Sequence, residues 1–190
     1  MKILLIASDK GELKGFDDSF KKVSGVGPIM AAAATAIAIC DHKPDIVFSI
    51  GSAGSVKNTL SVGDAYSFSS IITPDQNLTS VNIALGSTFD SNRTTLGRIQ
   101  TSDTSSSYSL GTSGTFNKVL QPWHETLGVS AVDMEAYGVA LACRKCSIPF
   151  YAVKLITDIV GDDSTIGKIQ FKLRQGREKM IELVNKLISL

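Results

Sequence analysis

One stretch, residues 131–163, constrains the fold most, because a helix and a buried strand follow each other in it directly. The apolar residues of the helix recur at the spacing of a single face: Ala136, Val139, Ala140 and Cys143. That face is predicted to pack on a sheet. Pro149 ends the helix, since the residue before a proline is pushed out of the helical conformation. The run 150–156 is rich in aromatic and β-branched residues, which predicts a buried strand.

Two acidic residues flank this helix and strand. Glu135 stands at the start of the helix, and the strand leads into Thr157 and Asp158. In open α/β sheets ligands bind at the carboxyl ends of the strands, so both carboxylates are predicted to face one crevice. Glu12 follows the first predicted strand, residues 2–7, and is a third acid that can face the same crevice. The alternative is an exposed glutamate in the first turn of a helix, where the helix dipole favours a carboxylate.

The other segments predict an α/β fold. With 190 residues, 43% of them apolar, the chain can bury a sizeable core, and residues 1–190 are interpreted as one domain. The predicted strands are 2–7, 45–50, 65–72 and 150–156. The predicted helices are 13–20, 28–41, 116–127 with an interruption near Pro122, 136–146 and 166–190. The order of these elements indicates a central, largely buried, mixed and twisted sheet with helices on the outside.

Two loop regions and one glycine turn each allow more than one interpretation. Residues 73–95 are polar and are predicted to form a connection with one short strand. Serine, threonine and glycine dominate residues 101–115, a composition that is consistent both with a mobile lid and with a plain surface loop. Gly25 and Gly27, just before Pro28, form either an anion-binding turn of backbone N–H groups or a tight turn that allows close packing.

Charge and cysteine content argue against several classes of protein. The chain has 19 Lys and Arg against 18 Asp and Glu, scattered along its length, so no nucleic-acid partner is expected. No apolar run approaches the ~20 residues of a membrane span, and the first apolar run is too short for a secretory signal. We therefore expect no membrane association and a cytoplasmic location. Cys143 and Cys146 have C-x-x-C spacing but no partners for a zinc site, and are interpreted as the core and last turn of a helix. No metal and no cofactor is predicted, and His124 is interpreted as a surface or hydrogen-bonded residue.

Five motifs occur along residues 1–70 and 97–165. In chain order they are Ser24-Gly-Val-Gly27 before an alanine-rich helix, Pro44-Asp45-Ile-Val followed by Gly51-Ser52-Ala53-Gly54, Leu60-x-Val62-Gly63-Asp64, Val132-Asp-Met134-Glu135-Ala136 and Ile156-Thr157-Asp158. Together they resemble the purine nucleoside phosphorylase and nucleosidase superfamily, most closely the methylthioadenosine/S-adenosylhomocysteine nucleosidases. The resemblance implies a nucleoside phosphorylase/hydrolase-like fold and cleavage of the N-glycosidic bond between ribose and a purine.

The resemblance also implies a role for each acid. Glu135 would accept hydrogen bonds from the vicinal ribose hydroxyls, with Met134 packed against the sugar. Asp158 would protonate the departing purine on its five-membered ring, and Glu12 would orient and activate water. The rest of the implied substrate-binding set is Ser52, Ala53, Asp133 and Thr157. The family is commonly dimeric, so the resemblance implies a homodimer that binds a small nucleoside and needs no cofactor.

The chemistry of the implied reaction favours hydrolysis. A purine anion is a poor leaving group, so an acid must protonate it, while a carboxylate stabilises the oxocarbenium-like sugar. A phosphorylase must instead hold a phosphate dianion, which arginine does best. Segments 8–12 and 49–51 contain no arginine, so water is the predicted nucleophile. A phosphate-dependent phosphorylase and a catalytically weak purine-nucleoside-binding protein are the alternatives.

The sequence departs from the family pattern at three places. Only residues 21–24 link the first predicted helix to the glycine turn, where the family usually has hairpins. Lys154 stands where the nucleosidases usually have an arginine, and Ser105 falls where an aromatic residue normally stacks on the base. Tyr108 can supply that ring only if the serine-rich segment folds inward. The missing hairpins and ring are what suggest the weak-binder alternative.

Overall fold

The computed structural model describes residues 1–16 and 19–189, which contain eleven strands and four α-helices. The strands are β1 (Ile3–Ala7), β2 (Phe20–Val23), β3 (Ile46–Ser55), β4 (Ala65–Phe68), β5 (Ser70–Ile72), β6 (Thr88–Phe89), β7 (Thr95–Leu96), β8 (Ile99–Gln100), β9 (Ser109–Thr112), β10 (Ala131–Asp133) and β11 (Phe150–Ile159). The helices are α1 (Pro28–His42), α2 (Pro122–Thr126), α3 (Ala136–Cys146) and α4 (Ile166–Ile188), with one 3-10 turn at Thr79–Val81. Within the described ranges, none of these helices combines the length and the apolar character needed to cross a bilayer.

Strand β3 is the centre of a nine-stranded sheet. It pairs in parallel with β11 along one edge, and its other edge is shared by β1, in parallel, and β10, in antiparallel. From β10 the sheet continues through β9 and β5 to β8, while β2 and β4 lie outside β1 and β11. Because parallel and antiparallel pairings are combined, the predicted mixed sheet with flanking helices is confirmed.

Helices cover both faces of this sheet. The core on one face contains residues of α1 and α3, and the core on the other contains residues of α4. Side chains alternate along β11 accordingly: Ala152 and Ile156 belong to the first core, and Val153 and Leu155 to the second. The strand that carries the predicted acid Asp158 is therefore fixed from both sides.

Helices α1 and α3 can approach closely because Gly138, in the first turn of α3, has no side chain. A Cβ at Gly138 would lie 2.0 Å from the carbonyl oxygen of Pro28, far inside van der Waals contact. Pro28 is the first residue of α1, a position where its missing N–H costs nothing. The contact brings the amino end of α1 beside the amino end of α3.

The long predicted elements are confirmed. Helices α1, α3 and α4 and strand β11 start within one residue of the predicted positions. Cys143 is buried in α3 and Cys146 is the last residue of that helix, as expected. Strand β3 continues five residues beyond Ile50, because its small residues still pair with β11 and β10.

Two other predicted elements are wrong in extent or type. The predicted helix 13–20 is absent among its described residues, where Leu13 lies in a turn and Phe20 begins β2 opposite Leu4; positions 17 and 18 of this prediction lie outside the described residues. Pairing with the exposed edge of β1 outweighs the weak helical spacing. The helix predicted for 116–127 is reduced to the five residues of α2.

The serine-rich segment 101–115 is partly a buried strand. Its residues 109–112 form β9, an inner strand between β10 and β5, and all four are buried. The hydroxyl groups find partners there: Thr101 donates to the carbonyl of Phe68 at 2.7 Å, and Thr112 donates to Asp133 at 2.6 Å. Both readings, lid and surface loop, are therefore wrong for β9.

Candidate active site

The predicted acids lie along the edge of the sheet where β1, β3 and β11 end. These three strands are parallel, so their carboxyl ends share one edge of the sheet. Glu12 follows β1, and Asp158 lies near the end of β11. Strand β10 runs against β3, which brings Asp133 to the middle of this edge and Glu135 to the start of α3.

Glu12 is a buried carboxylate held by five donors. One oxygen accepts from the backbone N–H and hydroxyl of Ser8 at 3.0 and 2.9 Å and from the Asp9 N–H at 3.3 Å. The other accepts from the N–H and hydroxyl of Ser52 at 3.0 and 3.4 Å. A Cβ at Gly51 would lie 2.7 Å from this carboxylate, so the glycine makes the approach possible. Only 5% of Glu12 is exposed, and the reading as an exposed glutamate is wrong.

Glu135 is held by the glycine turn before α1. Its carboxylate accepts a hydrogen bond from the Gly27 N–H at 3.0 Å, and Gly27 has a φ of 100°, a conformation that favours glycine. The turn therefore does bind an anion, and that anion is a carboxylate of the same chain. Burial, and next the charge of Asp133, raise the pKa of Glu135 to about 7, while Lys154 opposes the shift.

Lys154 forms an ion pair with Asp133 inside the protein. Its ammonium lies 2.9 Å from Asp133 Oδ2 and donates to the Ser49 hydroxyl at 3.3 Å. The exposed fractions of the two side chains are 1% and 0%. Burial alone would lower the pKa of Lys154, but Asp133, Glu135 and Glu12 together raise it above its ordinary value.

Both carboxylate oxygens of Asp133 are engaged within the protein. Besides Lys154, it accepts from the Thr112 hydroxyl at 2.6 Å and from the Ala136 N–H at 2.9 Å. Because its side chain is also fully buried, direct contact with a nucleoside, as the sequence predicted, is not what this geometry offers. The contacts instead tie together β9, β10, α3 and β11.

Asp158 lies beside a cavity of about 620 Å³ that Val62 and Phe171 also line. The Thr157 hydroxyl donates to its carboxyl group at 2.7 Å. Burial raises the pKa of Asp158, and the charge of Asp162 adds to the shift, whereas hydrogen bonds from Thr157 and Ser164 oppose it. The group is thus half-buried and biased toward its protonated form, as a general acid requires.

The remaining predicted binding residues surround these acids. Met134 is half-buried between Asp133 and Glu135, while Ala53 is buried in β3 next to Ser52. The N–H and the hydroxyl of Ser52 both donate to Glu12, and the hydroxyl of Thr157 donates to Asp158. These two residues therefore mainly hold the acids in place. Asp158 Oδ2 lies 3.4 Å from where a Cβ of Gly54 would be, two residues along β3 from Ser52.

The two positions considered for a ring that stacks on the base, Ser105 and Tyr108, do not lie at this edge of the sheet. Ser105 donates to Asp103 and Tyr108 packs edge-on against Tyr66, and both precede the amino end of β9. Neither lies at the carboxyl end. Phe116 follows that end and is 44% exposed; the nearby Gly114 lies beside the ring of Pro28. An exposed phenylalanine is therefore close in sequence and in space to the glycine turn.

Sequence reasoning missed the buried ion pair of Lys154 with Asp133 and the anchoring contacts of Thr112. A lone lysine inside the apolar run 150–156 is a usable signal, because a buried ammonium requires a carboxylate partner. Thr112 gave no such signal within a serine-rich segment. His124 is buried, which rules out the surface reading; its Nδ1 accepts from the Gln121 N–H at 3.0 Å, while its Nε2 has no hydrogen-bond partner among the described residues. No group of three side chains suited to a metal ion occurs in ranges 1–16 and 19–189.

The sequence matches a known family. The family model described as the phosphorylase superfamily matches residues 20–82 and 91–189, and the chain belongs to that superfamily. A 5'-methylthioadenosine/S-adenosylhomocysteine nucleosidase of Bacillus subtilis is 28% identical over 202 aligned residues, covering 94% of this chain and 84% of the relative. A nucleosidase of Bacillus cereus is also 28% identical and covers 85% of this chain and 77% of its own.

Solved structures show the same fold. The nucleosidase of Colwellia psychrerythraea, in complex with adenine, superposes with a TM-score of 0.81 at 23% identity, over 97% of this chain and 93% of its own. The futalosine hydrolase of Helicobacter pylori gives a TM-score of 0.79 at 17% identity, over 97% of each chain. At these identities the likeness concerns the fold.

Proposed function

We propose that this protein hydrolyses the N-glycosidic bond of a purine nucleoside of the methylthioadenosine or S-adenosylhomocysteine type. The observation that carries the proposal is that two buried glutamates, Glu12 and Glu135, and an aspartic acid whose pKa is raised, Asp158, follow or flank strands that end at the same edge of the sheet. These are the groups that protonation of a leaving base, stabilisation of a sugar cation and activation of water require. The nucleosidase names of the relatives point to the same reaction.

Asp158 is the proton donor in this mechanism. Burial keeps its carboxyl group more protonated than an exposed aspartic acid. As the N-glycosidic bond breaks, the proton passes to the five-membered ring of the purine, so the base leaves uncharged. General acids of this kind typically contribute ~10²–10⁴-fold in rate.

The two glutamates act on the sugar and on water. Glu135, fixed by the Gly27 N–H, accepts hydrogen bonds from the vicinal ribose hydroxyls, with Met134 against the sugar. Glu12 accepts the proton of the attacking water, and Ser8 and Ser52 hold it in place for that step. Both carboxylates also stabilise the positive charge that develops on the ribose.

Electrostatics favour water over phosphate as the nucleophile. The edge carries Glu12, Asp133 and Glu135, while the ammonium of Lys154 is already engaged by Asp133. A phosphate dianion would meet negative charge there and no guanidinium fork among the described residues of this edge. Phosphorolysis is thus less favoured than hydrolysis. The second alternative is a catalytically weak protein that binds purine nucleosides.

Phe116 is the side chain that we assign to stacking on the base. It is partly exposed just beyond the carboxyl end of β9, and the loop that carries it lies over the start of α1. Stacking of a base on an aromatic ring is worth about 1–3 kcal/mol by alanine substitution.

A homodimer is the assembly that we propose. Helix α1 has an exposed apolar stripe, Ile29, Met30, Ala33, Ile37 and Cys40, in which Ile29 is 83% exposed. Such a stripe is costly in water unless a partner covers it. A second copy packed there would lie next to the glycine turn of the site. Sedimentation of the wild-type protein and of Ile37→Glu tests this: the variant should be monomeric where the wild type is a dimer.

Base release decides between the candidate functions. The protein is incubated with methylthioadenosine, S-adenosylhomocysteine, adenosine and inosine, with and without phosphate, and free base is separated by chromatography. Hydrolysis predicts release that does not depend on phosphate. Release only with phosphate would favour the phosphorylase, and binding without any release would favour the weak binder.

A further inference from the structure

A buried ammonium group lies among three carboxylates in the candidate site. Lys154 pairs with Asp133 at 2.9 Å, and the charges of Glu12 and Glu135 also act on it. The mechanism proposed above assigns a step to both glutamates but none to Lys154 or Asp133. Burying an ion pair costs desolvation free energy, which only good geometry and additional hydrogen bonds offset, so such a pair is weak evidence for a purely stabilising role.

We propose that Lys154 is a positioning residue whose buried positive charge opposes the protonation of Glu135, and that Asp133 anchors Lys154 instead of contacting the nucleoside. This inference rests on the proposed function of the same site. It concerns the ionisation of Glu135 in the protein, whereas the proposed function concerns the reaction.

The anchoring role of Asp133 follows from its contacts. Thr112 of β9 donates to one of its oxygens, and the Ala136 N–H of α3 donates to the other at 2.9 Å. Lys154 reaches the second oxygen from β11, and Ser49 of β3 accepts a further hydrogen bond from the ammonium. Four elements thus fix the ammonium at one point, and a rotation of the side chain would break the ion pair.

The charged groups that face this point have opposite effects on Glu135. After burial, Asp133 raises the pKa of Glu135 most, and Glu12 raises it further, while Lys154 lowers it. The pKa of Asp158, the next acid along β11, is raised chiefly by burial and also by the charge of Asp162. Removal of Lys154 and removal of the Asp133 charge should therefore shift the ionisation of Glu135 in opposite directions.

The first test is the pH dependence of kcat/KM for Lys154→Met, Lys154→Arg and Asp133→Asn, with methylthioadenosine as the probe. Lys154→Met should move the acid limb to higher pH by about one unit, which lowers kcat/KM about tenfold at pH 6. Asp133→Asn should move it to lower pH, and Lys154→Arg should keep it within about half a unit. Lys179→Met, an exposed lysine on α4, is the matched control and should leave the profile unchanged.

A second readout does not depend on turnover. Carboxyl ¹³C NMR of glutamate-labelled protein, with the Glu135 signal identified by Glu135→Gln, should show the same opposite shifts in its titration. Shifts in one direction for both variants, or an equal loss at all pH values with no shift, would overturn the inference. If Lys154→Met does not fold, Asp133→Asn decides alone, since a downward shift supports the inference and any other result overturns it. If the wild type releases no base, the proposed function fails while the NMR titration still tests Lys154.

Discussion

The two faces of β11 show two different uses of burial. Leu155 lies with Val153 in the wholly apolar core under α4, whereas its neighbour Lys154 points to the opposite face among buried charges. On the α4 face every buried group adds to stability. On the other face, burial raises the pKa of Glu135 and disfavours its ionised form. We infer that one face stabilises the strand while the other gives up stability for chemistry.

The largest expected effect comes from Asp158→Asn at the end of β11. It removes the proposed proton donor, so kcat should fall by ~10²–10⁴-fold. The melting temperature should change little, because burial already disfavours the charge of Asp158. Base release and a thermal melt measure the two quantities, and Asp41→Asn, at an exposed aspartate in the last turn of α1, is the matched control with near-native turnover. A native rate in Asp158→Asn would remove this residue from the acid role.

Leu155→Ala tests the opposite face. It should lower the free energy of unfolding by about 2–5 kcal/mol, because it leaves a cavity against α4 where Gly176 packs closely. The kcat/KM of the folded enzyme should stay near the native value. Urea unfolding measures the stability, and initial rates are measured at temperatures well below the melting midpoint of the variant. Val81→Ala, at an exposed position, is the control. If activity fell together with stability, the two faces would not be separable.

Glu135→Gln is expected to stabilise the protein while it impairs ribose binding. The folded-state pKa of Glu135 is about 7, above its ordinary value, so the folded state holds a proton that the unfolded state releases. The resulting stability is present at pH 4 and is lost as the pH rises to about 7. At pH 8 the variant should therefore be more stable by about 1–3 kcal/mol, and near pH 4 the difference should vanish.

Urea unfolding of Glu135→Gln at both pH values measures this, and the exposed Glu182→Gln controls for charge alone. A difference that did not depend on pH would contradict the assignment of the raised pKa to Glu135. Reduced kcat/KM together with greater stability would be the expected trade-off at a functional residue.

Lys179→Met should have the smallest effect. Lys179 lies 2.6 Å from Asp64, a shorter distance than in the buried pair, but the two side chains are 55% and 46% exposed. Water and salt screen such a pair, so its loss should change the free energy of unfolding by about 0–1 kcal/mol. Thermal melts in low and high salt measure this, and a larger loss would mean that distance matters more than burial here.

The sequence allowed prediction of the elements that carry strong periodic patterns. Helices α1, α3 and α4 and strand β11 each have a continuous apolar pattern, and their approximate positions followed from it. Strand β9 was not predictable, because its composition is that of a loop and its hydroxyl partners belong to distant elements. Pairing energy of this kind exists only after the chain has folded.

The site was predictable in part for a similar reason. Glu12, Glu135 and Asp158 follow or precede recognisable elements, so their place at one edge could be inferred. The different environments of Asp133 and Glu135 could not be inferred, since both are acids of one motif. Only the packing of the folded chain makes Asp133 the anchor of Lys154. Lys154 was visible as an odd residue in an apolar strand, but its partners were not.

The close contact of Gly138 with Pro28 has a consequence for the effect of a mutation far from the substrate. Any side chain at that position would collide with the Pro28 carbonyl and force the first turns of α1 and α3 apart. The Gly27 amide would then withdraw from the Glu135 carboxylate, 3.0 Å away at present. A single added methyl group, with no contact to a nucleoside, would thus disturb the carboxylate that we propose binds the sugar, and mimic the loss of a binding residue.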